Sequence, residues 1–373
     1  TSACKSCGAC TNVCEPEALV AAEPTKSAVS DARRTWAIWE QLPDTSGETI
    51  ANLAQHADVG PLAATLLSRS CSLALGSGDS AEPGSGQKVA LRILLAAAEY
   101  HLQPQLVAHI QRISQLNDRV EEAIQQQLAE GLPKGDLDEA LQAIKGDDAD
   151  LSDIIDKVDL SFDQGHVDKA RLSRLAKLKK QLGELTWRLG QGPNGLGQAR
   201  IGLVITQSVA EWAGTFPHNP FLAPAVVATS NEAASLARGL VEAQLRHQVD
   251  AFRLIRTSEL ELDKPTEMVR EEAALKRLRF QDLTDEERRL CPPVVLVGTE
   301  EELTREALTD LADLMGSNLP VKAMVMSSAD LRHGHGPMPS EVGLLSLSQR
   351  AAFLVQSSIG RPDHLLAGLL AGF

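Results

Sequence analysis

Four cysteines near the start of the printed sequence have the residue type and spacing of a metal centre. They are Cys4, Cys7, Cys10 and Cys14, with two, two and three residues between neighbours, and Pro16 follows the last of them. Thiolates at this spacing hold [4Fe–4S] clusters; in two-cluster proteins the first three bind one cluster and the fourth ligates the other. We therefore expect these four cysteines to be iron ligands.

The same rule leaves both ligand sets incomplete. Cys4, Cys7 and Cys10 lack one ligand, and Cys14 lacks three partners. We expect the missing ligands to come from the remainder of a larger polypeptide or from another subunit. A zinc site made of all four cysteines is the alternative, although zinc sites seldom have this spacing. A disulfide framework is excluded, because its cysteines would be dispersed along the chain.

Length and composition restrict the class of protein. A chain of 373 residues predicts two or three domains at ~100–200 residues each. The composition is 43% hydrophobic but only 3% aromatic, which favours helix-rich α or α/β packing. The net charge of −14 argues against a nucleic-acid partner, since such proteins carry a concentrated basic stripe.

Hydropathy gives no indication of a membrane partner. The sequence has no apolar run near the ~20 residues that span a bilayer, and no charged segment followed by an apolar stretch at its start. Reduced thiols at metal-ligand spacing are typical of a reducing compartment. We therefore expect a cytoplasmic protein.

Two segments have apolar residues at helical spacing. In both, the apolar positions recur every three or four residues, which predicts two amphipathic helices that bury their stripes against each other in an antiparallel hairpin. The positions are Leu106, Ile110, Ile113, Val120, Ile124 and Leu128 in the first segment, and Leu172, Leu175, Leu178, Leu182 and Leu185 in the second.

Short apolar runs alternate with helical segments after the glycine-rich break at residues 190–195. Strand, helix and strand at this spacing predict βαβ units and a doubly wound parallel sheet. The predicted strands are Ile201–Ile205, Pro224–Thr229, Pro293–Val297, Val321–Met326 and Ala351–Gln356, and the predicted helices are Glu232–His247, Glu301–Met315 and one from about Pro362. Upstream, a helix through Val89–Leu102 is expected to be interrupted by Pro104.

These patterns divide the chain into four parts. Residues 1–25 form a ferredoxin-type [4Fe–4S] segment, and residues 26–104 form a connector with the first helices of the α/β domain. Residues 105–190 form the helical hairpin insertion, and residues 191–373 form the main α/β domain. The predicted fold class is α/β.

Several segments together resemble the C-terminal part of fused pyruvate:ferredoxin oxidoreductases, over most of the chain. They are the cysteine run, Gly60 to Cys71, Gly84-Ser85-Gly86, Thr215 to Phe221 and Pro293 to Gly298. The resemblance implies a thiamine-diphosphate-domain-like fold directly after a ferredoxin domain. Enzymes of this family couple decarboxylation of a 2-oxoacid at thiamine diphosphate to electron transfer through iron–sulfur clusters.

The chain departs from the family pattern where the cofactor would bind. The family's Gly-Asp-Gly loop is replaced by Gly298-Thr299-Glu300, and Thr206-Gln207-Ser208 stands in place of Thr-Gly-Cys. No Asn-Thr-Gly-Gly follows Met326, and only Cys71 stands where paired cysteines are expected. A diphosphate needs a divalent ion held by hard oxygen ligands and closely approaching amides. Glu300 and Glu301 are interpreted as first-turn helix acids rather than as ligands.

We therefore expect an iron–sulfur component of a 2-oxoacid:ferredoxin oxidoreductase whose catalytic centre is not complete in this chain. The resemblance implies thiamine diphosphate and magnesium elsewhere in an oligomeric complex, and ferredoxin or flavodoxin as the electron acceptor. No catalytic residue is assigned. The alternative is a non-catalytic scaffold with a degenerate thiamine fold.

Overall fold

The structure, a computed structural model, is an α/β fold with a four-stranded parallel sheet. It describes residues 11, 14–16, 18–20, 23, 25–75, 85–131, 168–193, 195–213, 219, 221–229, 231–327, 341–350 and 352–373. The chain divides into two compact units. The sheet unit comprises residues 1–104, 200–243 and 292–373, and the bundle unit comprises residues 105–199 and 244–291.

Four parallel strands form the centre of the sheet unit. They are β1 (Gly202–Thr206), β2 (Ala225–Ala228), β3 (Val294–Thr299) and β4 (Val321–Met326), in the order β2-β1-β3-β4. The two central strands are buried along almost their whole length. Continuous apolar runs such as Val294–Val297 form strands of this kind, because a parallel sheet is covered on both faces.

The sheet unit also contains ten helices or parts of helices among its described residues. They are α1 (Lys26–Gln41), α2 (Gly47–Ala54), α3 (Gly60–Thr65), α4 (Arg69–Leu75), the first part of α5 (Gly86–Gly131), α7 (Gln207–Ala213), the first part of α8 (Ala233–Asp263), α11 (Leu308–Met315), α12 (Glu341–Gln349) and α13 (Pro362–Gly372). Helix α13 is anchored by Leu366, which packs against Ile93 and Ala97 of α5. The Asp363 carboxylate also accepts a hydrogen bond from the backbone N–H of Leu62, at 3.1 Å.

The bundle unit is built from the second part of α5, α6 (Lys169–Gly190), the second part of α8, α9 (Met268–Lys276) and α10 (Asp285–Arg289). Its core combines the two predicted leucine-rich stripes with α8. The buried members are Ile113, Leu116, Val120, Ile124 and Leu128 of α5, Leu172, Leu175, Leu178, Leu182 and Leu185 of α6, and Val249, Ala251, Phe252 and Ile255 of α8, together with Leu283.

Three local predictions are wrong. Helix α5 runs through Pro104, because the apolar residues on both sides of it, Leu102 and Leu106, are buried and this burial outweighs the cost of the proline. Helix α8 extends to Asp263 instead of ending at His247. Residues 352–356 of the expected fifth strand form no ladder; Val355 instead packs against Gly368 of α13.

No helix among the described residues is both long enough and apolar enough to cross a membrane.

Candidate functional site

The predicted cluster ligands lie almost entirely outside the described residues. Cys4, Cys7 and Cys10 are not described, and Cys14 is a half-buried free thiol. The iron–sulfur assignment therefore stays a prediction from the sequence. The other two cysteines, Cys71 and Cys291, are buried. Burial raises the pKa of Cys71 and raises that of Cys291 to about 12.

The topology of the sheet indicates a second candidate site. Strand β1 lies between β2, which follows it in the chain, and β3, whose own successor β4 lies on the far side. The connections leaving β1 and β3 therefore diverge, and open α/β sheets bind ligands in the crevice outside the carboxyl ends of two such strands. We call the space between the ends of β1 and β3 the switch-point crevice.

The carboxylate of Glu302 lies in the switch-point crevice. Its Oε2 accepts hydrogen bonds from the hydroxyls of Thr206 at 2.6 Å, Ser208 at 2.6 Å and Thr299 at 2.9 Å. Its Oε1 accepts one from the backbone N–H of Ser208 at 3.1 Å, and the N–H of Thr299 lies 3.4 Å from Oε2. Thr206 ends β1 and Thr299 ends β3, so Glu302 links the two central strands.

These donors strongly favour the ionised form of Glu302. Burial opposes ionisation, but the hydrogen bonds from Ser208, Thr206 and Thr299 outweigh it and lower the pKa of the Glu302 carboxyl to about 2. The crevice therefore holds a fixed negative charge at every physiological pH.

Two local features of the sequence place Glu302 there. Thr299 and Glu302 form a reciprocal capping pair, in which the Thr299 hydroxyl also accepts from the Glu302 N–H at 3.4 Å. Gly298 precedes them, and a Cβ at this position would lie 2.8 Å from Leu303 and from the Thr206 methyl. The glycine thus allows the ends of the two strands to approach closely.

Glu302 was missed in the sequence, although a signal for it is present. The resemblance pointed to Thr299, and the acids next to it in the sequence are Glu300 and Glu301. The spacing Thr-x-x-Glu directly after a strand is the signature of a capping box, and it identifies Glu302 as the acid that turns back toward Thr299. Its additional bonds to Thr206 and Ser208 depend on the pairing of β1 with β3, which local sequence does not specify.

The described donors of the crevice already contact the Glu302 carboxylate, which accepts hydrogen bonds from three hydroxyls and from the Ser208 N–H. A second anion would meet the charge of Glu302. Over the described parts of the chain, no group of three His, Cys, Asp or Glu side chains is placed to hold a metal ion.

Other polar clusters consist of paired charges. In the sheet unit, Glu99 is 2% exposed and forms an ion pair with Arg200. In the bundle unit, a cavity of about 70 Å³ is lined by His109 and by two ion pairs, Arg112–Glu259 and Arg256–Glu287. Burial lowers the pKa of His109, with a smaller contribution from Arg112. Neither cluster has the arrangement of a nucleophile with a base.

No protein-family model, no curated protein and no solved structure matches this chain. Its function has to be inferred from its own residues.

Proposed function

We propose that the chain is the iron–sulfur electron-transfer component of a 2-oxoacid:ferredoxin oxidoreductase of the pyruvate type. The observation that carries this proposal is the spacing of Cys4, Cys7, Cys10 and Cys14, which places thiolates where a [4Fe–4S] cluster needs them. In such an assembly, decarboxylation of the 2-oxoacid to acyl-CoA would take place at a thiamine centre elsewhere. The cluster would pass the electrons to a ferredoxin or flavodoxin.

Two features of the fold support the finer assignments that belong to this proposal. A parallel sheet with the order β2-β1-β3-β4 supports a doubly wound, thiamine-domain-like unit. The shared burial of the stripes on α5 and α6 supports a helical insertion over residues 105–190. Both assignments are part of the proposal.

Anaerobic reconstitution tests the cluster. The full chain is refolded with ferrous iron and sulfide, reduced, and studied by low-temperature electron paramagnetic resonance. We expect a [4Fe–4S]⁺ signal that Cys7→Ser abolishes or strongly alters, because Cys7 is the central thiolate of the first three. Cys71→Ser is the matched control, since Cys71 is a buried, isolated thiol, and it should leave the signal unchanged.

Two results would contradict the assignment. One is a cluster signal that is the same in Cys7→Ser and in the unchanged chain. The other is tight binding of one zinc ion with no iron retained, which would favour the four-cysteine zinc site.

A second candidate function, a non-catalytic scaffold, is favoured by one observation for the sheet unit. Glu302 places a carboxylate in the switch-point crevice, and Thr299 offers only a neutral hydroxyl where a magnesium ligand is expected. A diphosphate adds about three negative charges that a divalent ion and amides must offset. We therefore propose that this unit supports the assembly without binding thiamine diphosphate.

Calorimetry separates a scaffold from a catalytic domain. The full chain is titrated with thiamine diphosphate in the presence of magnesium, and we expect no binding heat at micromolar concentrations. Micromolar, magnesium-dependent binding that disappears in Thr299→Ala would restore the domain as the catalytic one. A purified reference enzyme of the same class serves as the positive control.

A further inference from the structure

The donors in the switch-point crevice exceed what a helix cap requires. A capping box uses only Thr299 and Glu302. Here Thr206 and Ser208, which belong to a different strand and a different helix, also direct their hydroxyls to Glu302 Oε2, each at 2.6 Å. Besides the Thr299 N–H, four donors contact this carboxylate: the hydroxyls of Thr206, Ser208 and Thr299 and the N–H of Ser208. The Glu302 side chain is therefore held as a bound carboxylate ligand would be.

We propose that the switch-point crevice is a carboxylate-binding site occupied by the side chain of Glu302, and that it accepts a small external monocarboxylate when that side chain is removed. The crevice lies where open α/β sheets place their ligands, at the diverging ends of β1 and β3. This inference does not depend on the iron–sulfur function.

The nature of the donors favours a carboxylate over a phosphate. The groups that donate to Glu302 are three hydroxyls and backbone amides, all of them neutral. Neutral donors can offset one negative charge at this partly buried position. A phosphate dianion, in contrast, is normally bound with the help of Arg, Lys or a metal ion. Glu300 and Glu301 on the same turn add further negative charge nearby. The occupant that fits is therefore singly charged and has two oxygens.

The test is chemical rescue of Glu302→Ala. This substitution removes a CH₂–COO⁻ group, which acetate reproduces. We expect the variant to have a lower melting temperature than the unchanged chain, and sodium acetate to raise that temperature by several degrees in a saturable manner. Sodium chloride at equal ionic strength should have no comparable effect, and phosphate should have a smaller effect than acetate.

Three control proteins make the result specific. The unchanged chain and Glu302→Gln keep the space filled, so acetate should not stabilise them. Glu301→Ala removes the same charge from an exposed neighbour and should also show no rescue. Adding Ser208→Ala to Glu302→Ala removes a donor and should weaken the apparent affinity for acetate several-fold.

Three outcomes with folded protein decide against the proposal. It is overturned if folded Glu302→Ala gives no saturable response, if Glu301→Ala responds equally, or if phosphate stabilises as well as acetate does. Should Glu302→Ala not fold in plain buffer, the yield of refolding with and without acetate becomes the readout. Acetate-dependent recovery supports the proposal, and its absence refutes it.

Discussion

Glu302 and Glu99 are two carboxyl groups of the sheet unit whose surroundings shift their pKa values in opposite directions. Hydroxyl and amide donors lower that of Glu302 to about 2 against its burial. Burial raises that of Glu99 to about 6, because the opposing effects of Arg200 and Gln103 are too small to cancel it. The two groups therefore affect stability over different ranges of pH.

Glu302 should make the stability of the fold sensitive to acid. Its folded pKa lies below the unfolded value of 4.5, so its contribution is fully present above pH 4.5 and is lost as the pH falls toward 2. For the unchanged chain compared with Glu302→Gln, we expect a difference in unfolding free energy that shrinks over this range. Because the side chain is partly exposed, the change is at most about 3 kcal/mol. Urea titrations at several pH values measure it, and a difference independent of pH would contradict it.

Glu99 should act in the opposite sense. Its folded pKa is raised above 4.5, so its favourable contribution is present below pH 4.5 and is lost as the pH rises through about 6. Relative to Glu99→Gln, the unchanged chain should lose about 2 kcal/mol of unfolding free energy between pH 4 and 7. A difference between the unchanged chain and Glu99→Gln that does not depend on pH would disprove the shift.

At the scale of elements, the bundle unit depends on three helices that share one core. Leu178 of α6 is 6% exposed within that core. Helix α6 is also joined to α8 through Glu261, whose side chain is fully buried and accepts from Arg174 Nε at 3.0 Å and Nη2 at 3.2 Å. Apolar packing and a satisfied buried charge thus hold the same pair of helices.

Leu178→Asp tests the importance of this core. A carboxylate placed at this position would have no polar partner in the cluster, so we expect a loss of several kcal/mol of unfolding free energy. Ser173→Asp, on an exposed face of the same helix, should change it by less than about 0.5 kcal/mol. Chemical denaturation measures both. Equal stability of the two variants would show that Leu178 does not lie in a buried seam.

Strands that consist of apolar runs could be predicted from the sequence. Features that depend on long-range contacts could not. The strands β1 and β3 were predicted within two residues of their ends, because a buried parallel strand is a continuous apolar run. The strand at Val321–Met326 was predicted with its observed ends from its mostly apolar sequence, although only Met326 is buried in it. The segment at 352–356 has the same composition, yet it packs on α13. The role of Glu302 also depended on the strand pairing, since its partners Thr206 and Ser208 lie about ninety residues away.

At the scale of the whole molecule, each of the two units has its own buried cluster. Local stability in such a chain is set by the contacts of the unit to which a residue belongs. Hydrogen–deuterium exchange with mass spectrometry can follow peptides from each unit separately. The substitutions at Glu302 and Leu178 therefore provide a matched pair.

We expect Glu302→Ala to accelerate exchange in β1 and β3 and to leave α6 unchanged. Leu178→Asp should accelerate exchange in α6 and in residues 249–255 of α8, and should spare β1 and β3. The physical reason is that Glu302 is hydrogen-bonded to the ends of β1 and β3, whereas Leu178 packs in the core that α6 shares with α8. Acceleration of both regions by both variants would mean that the chain opens as a single cooperative body.

The close contacts of Gly298 determine which substitutions the chain can tolerate in combination. A methyl group there would meet the Leu303 side chain and the Thr206 methyl at 2.8 Å, so alanine at 298 requires both of these contacts to be relieved. Thr206→Ser removes one obstacle and keeps the hydroxyl that donates to Glu302, so it should offset part of the loss caused by Gly298→Ala. Position 206 thus forms one steric unit with positions 298 and 303, although it lies far from both in the chain. Among related sequences the three positions should vary together, and a glycine lost at 298 should be accompanied by smaller residues at the other two.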